Sequence, residues 1–383
     1  MTHTADAVVV GAGIAGLGAA AALAADRSVV VVEQESTTAY HASGRSAATL
    51  SETSGHPLVC AFARLSRDLF ERPPEGFADH PLLGPRGLLW IGEPGDETSL
   101  DEMAVNGQRV APSVRRIDAS QTRSLLPTFS EHVTAAGAVH EPDARTIDAA
   151  AVLQGFIRLL RRGGGSVHTS SEAIVVEPID HADQNDREAV RWRVMAGDLR
   201  IECRDVVDAA GAWGDVVAVR AGVRPLGLRP LRRTAAIARS PVEVAGWPLV
   251  MDIRGRYYCE PEQGGLLISP ADEQMSEPCD ARADEIDVAL AIERVSSASG
   301  LDLRSIVRAW AGLRTFAPDR APVVGEDPDA AGFWWLVGQG GAGIKTAPAM
   351  AAMLARLVRG EGATADEAAL GVTVDAVSPR RLR

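Results

Sequence analysis

The sequence predicts an α/β fold in which a mostly parallel sheet shares the chain with an interleaved domain built on an antiparallel sheet. Three observations carry this. From Ala7 to Val32 a β-branched run, a glycine-rich turn, an alanine-rich segment and a second β-branched run follow one another, the pattern of a βαβ unit with parallel strands. A second glycine-rich turn, Gln339 to Gly343, leads into another helical segment near the far end. Between the two, Arg229 to Pro270 alternates apolar and polar residues in the manner of antiparallel strands.

Taken in order, Ala7 to Val10 and Ser28 to Val32 read as buried strands, with the helix Ile14 to Ala25 between them. A loop rich in Ser, Thr, Gly and Ala runs from Ser36 to Gly55, and Pro57 to Phe70 reads as a helix. Prolines at 73, 74, 81, 85 and 94 break the next stretch into short pieces such as the strand Gly87 to Ile91. Asp148 is placed to cap a helix that runs to Arg162, and Gly163-Gly164-Gly165 ends it. Short strands follow at Ser166 to Thr169, Ala173 to Val176, Val190 to Val194 and Asp205 to Ala209. The antiparallel region contributes Thr234 to Ala238, Arg256 to Cys259 and Gly265 to Ile268. A helix Asp284 to Ala298, a strand Trp334 to Val337 and a helix Thr346 to Val358 complete the ordered part, with Asp375 to Arg383 as a tail. The division expected is residues 1–80, 141–218 and 305–383 for one domain and 81–140 and 219–304 for the other.

At 383 residues with 46% hydrophobic content, the chain is long enough for two substantial cores. A formal charge of −12 makes nucleic acid and anionic membrane surfaces poor partners. Ala7 to Ala25 is uncharged and long enough to span a bilayer, but four glycines and an opening β-branched run argue for strand plus helix. Cys60, Cys203, Cys259 and Cys279 show no paired spacing, so neither a disulfide framework nor a zinc site is expected. A reducing cytoplasm is the simplest setting. None of the eight histidines falls in a legible ligand or triad arrangement, and no metal is called for.

Gly11-Ala12-Gly13-Ile14-Ala15-Gly16 is a G-x-G-x-x-G between strand and helix. Gly11 permits the tight turn, Gly13 lets the backbone approach a pyrophosphate, and Gly16 lets helix and strand pack closely. The helix N-terminus then faces the phosphates with free N–H groups. Glu33, at the end of the second strand, is placed to accept hydrogen bonds from ribose hydroxyls. This much fits NAD or FAD. In Tyr40 to Ala48, Gly44 and Ser46 suit contact with phosphate oxygens and Arg45 supplies charge. Gly343-Ile344-Lys345-Thr346 opens a helix whose N-terminus can face negative charge on a reduced flavin, an element a simple NAD dehydrogenase does not need.

With these segments in view, the chain resembles the D-amino-acid oxidase superfamily of flavoproteins, and within it is most similar to bacterial D-arginine dehydrogenase. The resemblance includes His80-Pro81-Leu82-Leu83, Asp208 to Trp213, Ala221 to Leu228, Trp310 to Arg314 and Ser378 to Leu382. It implies a Rossmann-type FAD-binding domain and a smaller domain whose sheet roofs the flavin. Ile14, Ala48, Ala173, Gly211, Ile344 and Thr346 are then expected along the cofactor, together with the glycines above. The stretch Gly312 to Asp319 has no cysteine of the kind that tethers flavin in sarcosine oxidase, so noncovalent FAD is expected.

The resemblance also implies a substrate site. Arg233, Arg314 and Tyr258 match residues that hold a substrate carboxylate, a task suited to two guanidinium forks, and the Gly341 carbonyl matches the acceptor of the substrate amine. At Leu88 the dehydrogenase has a glutamate that pairs with a cationic side chain. Thr49 and Ser54 stand where it has histidine and tyrosine, and Leu249 and Met251 add an apolar wall. A pocket without its anion rejects cationic side chains, so a neutral or apolar D-amino acid is expected. Lys345 replaces a glutamine and resembles the lysine of sarcosine oxidase, placed at the flavin edge or the carboxylate. It leaves secondary amino acids, sarcosine- or proline-like, and a biosynthetic amine or imine as the alternative. A non-catalytic flavin-binding subunit is a third reading, and the electron acceptor, O2 or a quinone, is left open.

Overall fold

A computed structural model describes residues 2–179 and 190–383. Its strands form two large sheets and one small one. The first sheet has a parallel centre. Thr2–Val10 lies between Val29–Val32 and Leu199–Asp208; Ser166–His168 extends it on one side and Phe333–Val337 on the other. Antiparallel pairs Ala173–Pro178 with Trp192–Ala196, and Val323–Glu326 on Phe333–Val337, complete it.

The helix Ile14–Leu23 is almost entirely Ala, Gly and Leu and is buried nearly all round. Small side chains let it lie close to both Gly343–Val358 and Ala149–Arg162. Residues of these helices and of the parallel strands make one core, with Phe62, Phe70 and Phe77 filling its edge. Asp148 caps Ala149–Arg162 through its carboxylate and the Ala151 N–H, 2.8 Å.

The second sheet is mostly antiparallel and strongly cross-linked in sequence. Arg229–Ala238 pairs with Ile306–Phe316 along its whole length and with Gly265–Ser269. Next come Tyr258–Glu262, Leu249–Asp252, Leu88–Ile91, Ala138–Glu141 and Arg115–Ile117. The helix Glu285–Ser299 packs on its far face over Ala236, Ala238 and Ile268. The α/β class with a parallel and an antiparallel sheet is therefore as expected.

Three local expectations are corrected. The last long helix begins at Gly343, three residues before Thr346, because the glycine turn itself supplies the first helical residues. Ile306–Phe316, read in the sequence only as a motif, is an eleven-residue strand. Asp375 to Arg383 is not a loose tail. It forms Val374–Val377 and Pro379–Leu382 and is tied down by Arg381 to Asp319, 2.7 Å, and by Arg383 to Asp327. The described residues contain no helix long and apolar enough to cross a membrane.

Candidate active site

A cavity of about 830 Å³ runs between the two large sheets, from Gly11 and Glu33 at one end to Tyr258 and Arg314 at the other. That is at the upper end of the range for cofactor and ligand clefts.

At the parallel end, Gly11 sits at φ +102° where the first strand turns into the helix. A Cβ on Gly16 would lie 1.9 Å from the Gly11 carbonyl oxygen, so only glycine lets the helix start there. Gly13 lines the cavity, and a side chain on it would fill the space before Ser43. Glu33 ends the second strand and accepts from the Ala12 N–H at 2.7 Å and the Glu35 N–H at 2.9 Å. Its carboxylate thus clamps the glycine turn while facing the cavity. Ser43 Oγ accepts from the Ile14 N–H, 3.0 Å. Glycines held open, a helix N-terminus and an acid on one cavity wall fit a dinucleotide pyrophosphate and ribose.

Of the other cofactor positions, Ile14, Arg45, Ser46, Ala48, Ala173 and Gly211 line the same cavity, as do Gly343, Ile344 and Lys345. Gly16, Gly44 and Thr346 do not. Gly44 is small because a Cβ would strike the Ala39 carbonyl at 2.3 Å, and Thr346 is buried with its hydroxyl on the Ala342 carbonyl, 3.0 Å. Arg45 is already engaged: it donates to the Ala281 and Ala311 carbonyls and pairs with Asp280, so it ties the flavin-side loop to the second sheet.

At the antiparallel end, Arg233 stands opposite Gly312 and Leu231 opposite Arg314, which puts both arginines on the cavity face of neighbouring strands. Each guanidinium carbon lies 5.9 Å from the centre of the Tyr258 ring, one from each strand, within cation–π range. Arg314 Nη2 donates to the Tyr258 hydroxyl, 3.4 Å. Among the described residues no carboxylate lies within 4.0 Å of Arg314. Arg233 is held by the Asp272 carbonyl, 2.6 Å, and by Glu273, 3.3 Å. Burial, and then the neighbouring Arg314, bring its guanidinium down to about 10. Glu273 also pairs with Arg320 at 2.8 Å. Burial alone would raise its carboxyl, but Arg320 and Arg233 hold it below the usual range. Gly341 lines the cavity beside Arg314, and a Cβ there would meet Arg314 Nε at 2.6 Å.

The side-chain wall differs from expectation at two points. Leu88 is fully buried and does not line the cavity; Thr49, Ser54, Leu249 and Met251 do. Lys345 is turned toward the loop after Leu50: its Nζ donates to the Ser51 carbonyl, the Ser54 carbonyl and Ser54 Oγ, each at 2.8 Å. These three bonds use all three ammonium protons, and burial pulls the amine below its ordinary value. Glu141 holds the same loop from beneath, accepting from Ser51 Oγ, Glu52 N–H and Thr53 Oγ1 at 2.9, 2.6 and 2.5 Å. Sequence reading missed Glu260, a buried carboxylate on the cavity wall. The signal was present: Glu260 lies two residues beyond Tyr258 on one strand and so faces the same way.

A glycine-rich dinucleotide turn and an arginine with no carboxylate partner among the described residues line one cavity. Residues 6–357 match the DAO family, FAD dependent oxidoreductase, and the chain belongs to that family. Its cofactor is FAD, and its reactions are of the amino-acid or amine oxidoreductase type. Among relatives, the glycine oxidase of Pseudomonas putida is 26% identical over 366 residues, 92% of this chain and 94% of its own. The uncharacterized oxidoreductase YurR of Bacillus subtilis is 23% identical over 283 residues, 70% of each chain. The structure of L-proline dehydrogenase from P. horikoshii superposes with a TM-score of 0.82 at 18% identity, covering 100% of this chain and 98% of that one. At that identity the likeness speaks to the fold.

Proposed function

We propose that the chain oxidises the Cα–N bond of a neutral D-amino acid to the imino acid, which hydrolyses to a 2-oxo acid and ammonia. The carrying observation is Arg314: a guanidinium on the cavity face, bonded to the Tyr258 hydroxyl and without a carboxylate partner among the described residues. A half-buried cation in that position calls for an anion, and a carboxylate fits its fork. Arg233 contributes positive charge from the neighbouring strand, and Tyr258 adds a hydroxyl donor. The Gly341 carbonyl receives the amine, which favours the neutral form with its lone pair free. Bound FAD, seated noncovalently, supplies the two-electron acceptor for the Cα hydride. The protein's part is to hold acid and amine so that Cα–H has one direction to point.

In this reading residues 1–80, 141–218 and 305–383 hold the cofactor, and 81–140 and 219–304 roof the substrate. Ile306–Phe316 is the link, since it brings Arg314 to the sheet that carries Tyr258. The likeness to D-arginine dehydrogenase and the cytoplasmic setting belong to the same proposal. Lys345 contributes by fixing the loop that carries Ser54. A second reading, oxidation of a secondary amino acid, is favoured by the names of two structural neighbours, an L-proline dehydrogenase and an iminodiacetate oxidase.

Anaerobic mixing of the holoenzyme with D-, L-, N-methyl and cyclic amino acids tests both. Bleaching of the flavin by primary D-amino acids is expected. Bleaching by sarcosine or proline alone selects the second reading, and no bleaching by any of them overturns both.

A further inference from the structure

The cavity wall carries a buried carboxylate, Glu260, that the proposed chemistry does not use. In the second sheet Met251 faces Tyr258 across the strand pair, and Val250 faces Cys259. The next position in that antiparallel register sets Leu249 beside Glu260, and Leu249 in turn pairs with Leu88. Tyr258 and Glu260 therefore stand on one strand face, about 7 Å apart along the strand. Both line the cavity, and so do Leu249 and Met251 on the neighbouring strand.

The Glu260 carboxyl is held on one oxygen. Thr49 Oγ1 donates to Oε2 at 3.2 Å, and Arg86 Nε stands 3.5 Å from the same atom without a hydrogen bond. Oε1 has no hydrogen bond among the described residues and is not one of the sealed, unpartnered atoms of the interior. Glu260 lines the cavity, and Oε1 is its oxygen left without a partner among the described residues.

The charges around this carboxyl decide what it can bind. When Glu260 is ionised, it and Arg86 sum to zero at the wall. A cationic substituent brought to Oε1 would leave one uncompensated charge in a buried site, and an anionic one would meet the carboxylate directly. A neutral donor, a hydroxyl or carboxamide, gains a hydrogen bond without adding charge. A purely aliphatic group would cover Oε1 and strip its water without replacing it.

We propose that Glu260, anchored by Thr49 and Arg86, is the specificity-determining residue of the side-chain subsite, and that it selects amino acids with a neutral hydrogen-bond donor on the side chain. This rests on the amino-acid reading above and narrows its substrate class. Leu249 and Met251 pack the carbon stem and Glu260 Oε1 accepts from its polar end.

The test is anaerobic flavin reduction by matched pairs of D-amino acids: serine with 2-aminobutyrate, threonine with valine, homoserine with norvaline and asparagine with leucine. In the wild-type holoenzyme the ratio of reduction rate to apparent dissociation constant is expected to favour the polar member at least tenfold in the pair whose length reaches Oε1. Ornithine and lysine are expected to fall below a tenth of that member. Glu260→Leu should bring the ratio to one or below, and Thr49→Val should cut it severalfold with the Arg86 pair left in place. The wild-type ratios stand even where Glu260→Leu does not fold. Ratios at or below one in every pair, or ornithine as the best substrate, overturn the assignment of Glu260 alone. Absence of reduction by every amino acid overturns the amino-acid reading and this assignment with it.

Discussion

Glu260→Gln replaces a buried titrating carboxyl with its uncharged isostere, and the consequence for stability is set by pH. Burial pushes the Glu260 carboxyl from its ordinary 4.5 up to about 7, against the opposing pull of Arg86 and the Thr49 hydroxyl. Because the folded value is the higher one, the folded chain holds a proton that the unfolded chain has already released. Wild-type stability therefore declines as pH rises from about 4.5 to about 7, and the loss is complete above that. At about 1.4 kcal/mol per pH unit, this interval corresponds to about 3 kcal/mol. Gln cannot ionise, so the variant escapes the loss. For a chain of 383 residues, an unfolding entropy of about 2 cal/mol/K per residue turns that into about 4 °C. Thermal unfolding of both holoproteins from pH 5 to pH 8.5 is the assay. Midpoints within about 1 °C near pH 5 and a variant about 4 °C higher at pH 8 are expected. A difference that stays flat across the range, or a variant that loses ground as pH rises, refutes the placement of Glu260 as a desolvated carboxyl.

Arg314→Met removes a guanidinium that has no carboxylate partner among the described residues; kcat/KM should fall at least a hundredfold while the flavin absorbance of the purified protein is unchanged, and near-normal kinetics would remove Arg314 from the site. Gly341→Ala places a Cβ against Arg314 Nε and Cζ, at 2.6 and 2.7 Å in the unrelaxed chain. It should raise KM by an order of magnitude or more without loss of FAD, checked by steady-state kinetics beside the flavin spectrum. Glu33→Gln loses the charge-assisted bonds that the carboxylate takes from the Ala12 and Glu35 N–H groups. FAD should bind the apoprotein at least tenfold more weakly, measured by quenching of flavin fluorescence. An unchanged dissociation constant would separate Glu33 from the cofactor.

The nucleotide end of the molecule was legible because its signals are local. A buried strand, a turn that admits only glycine and an alanine-rich helix occupy consecutive residues, so Gly11, Gly13, Gly16 and Glu33 can be read in order. The same is true of Asp148 capping its helix. Ile306–Phe316 was harder: Arg308, Arg314 and Gly312 interrupt the apolar alternation, and only its pairing with Arg229–Ala238 makes it a strand. The C-terminal residues read as a tail because the arginines that fasten them find their acids, Asp319 and Asp327, some sixty positions back.

Residue types, strand and helix periods and the glycine turns, with the family resemblance they support, were determined by the sequence itself, and they suffice for the fold class and FAD. Which side chains share a wall was decided only by tertiary structure. Leu88, Leu249 and Glu260 lie in separate segments and become neighbours when three strands align, and a shift of one residue in that register would turn each to the opposite face. Thus Leu88 withdrew into the core, Lys345 turned to the loop it holds, and Glu260, two residues beyond Tyr258, came to line the cavity. Pairing between distant strands is a property of the whole packed chain, and no window of sequence contains it.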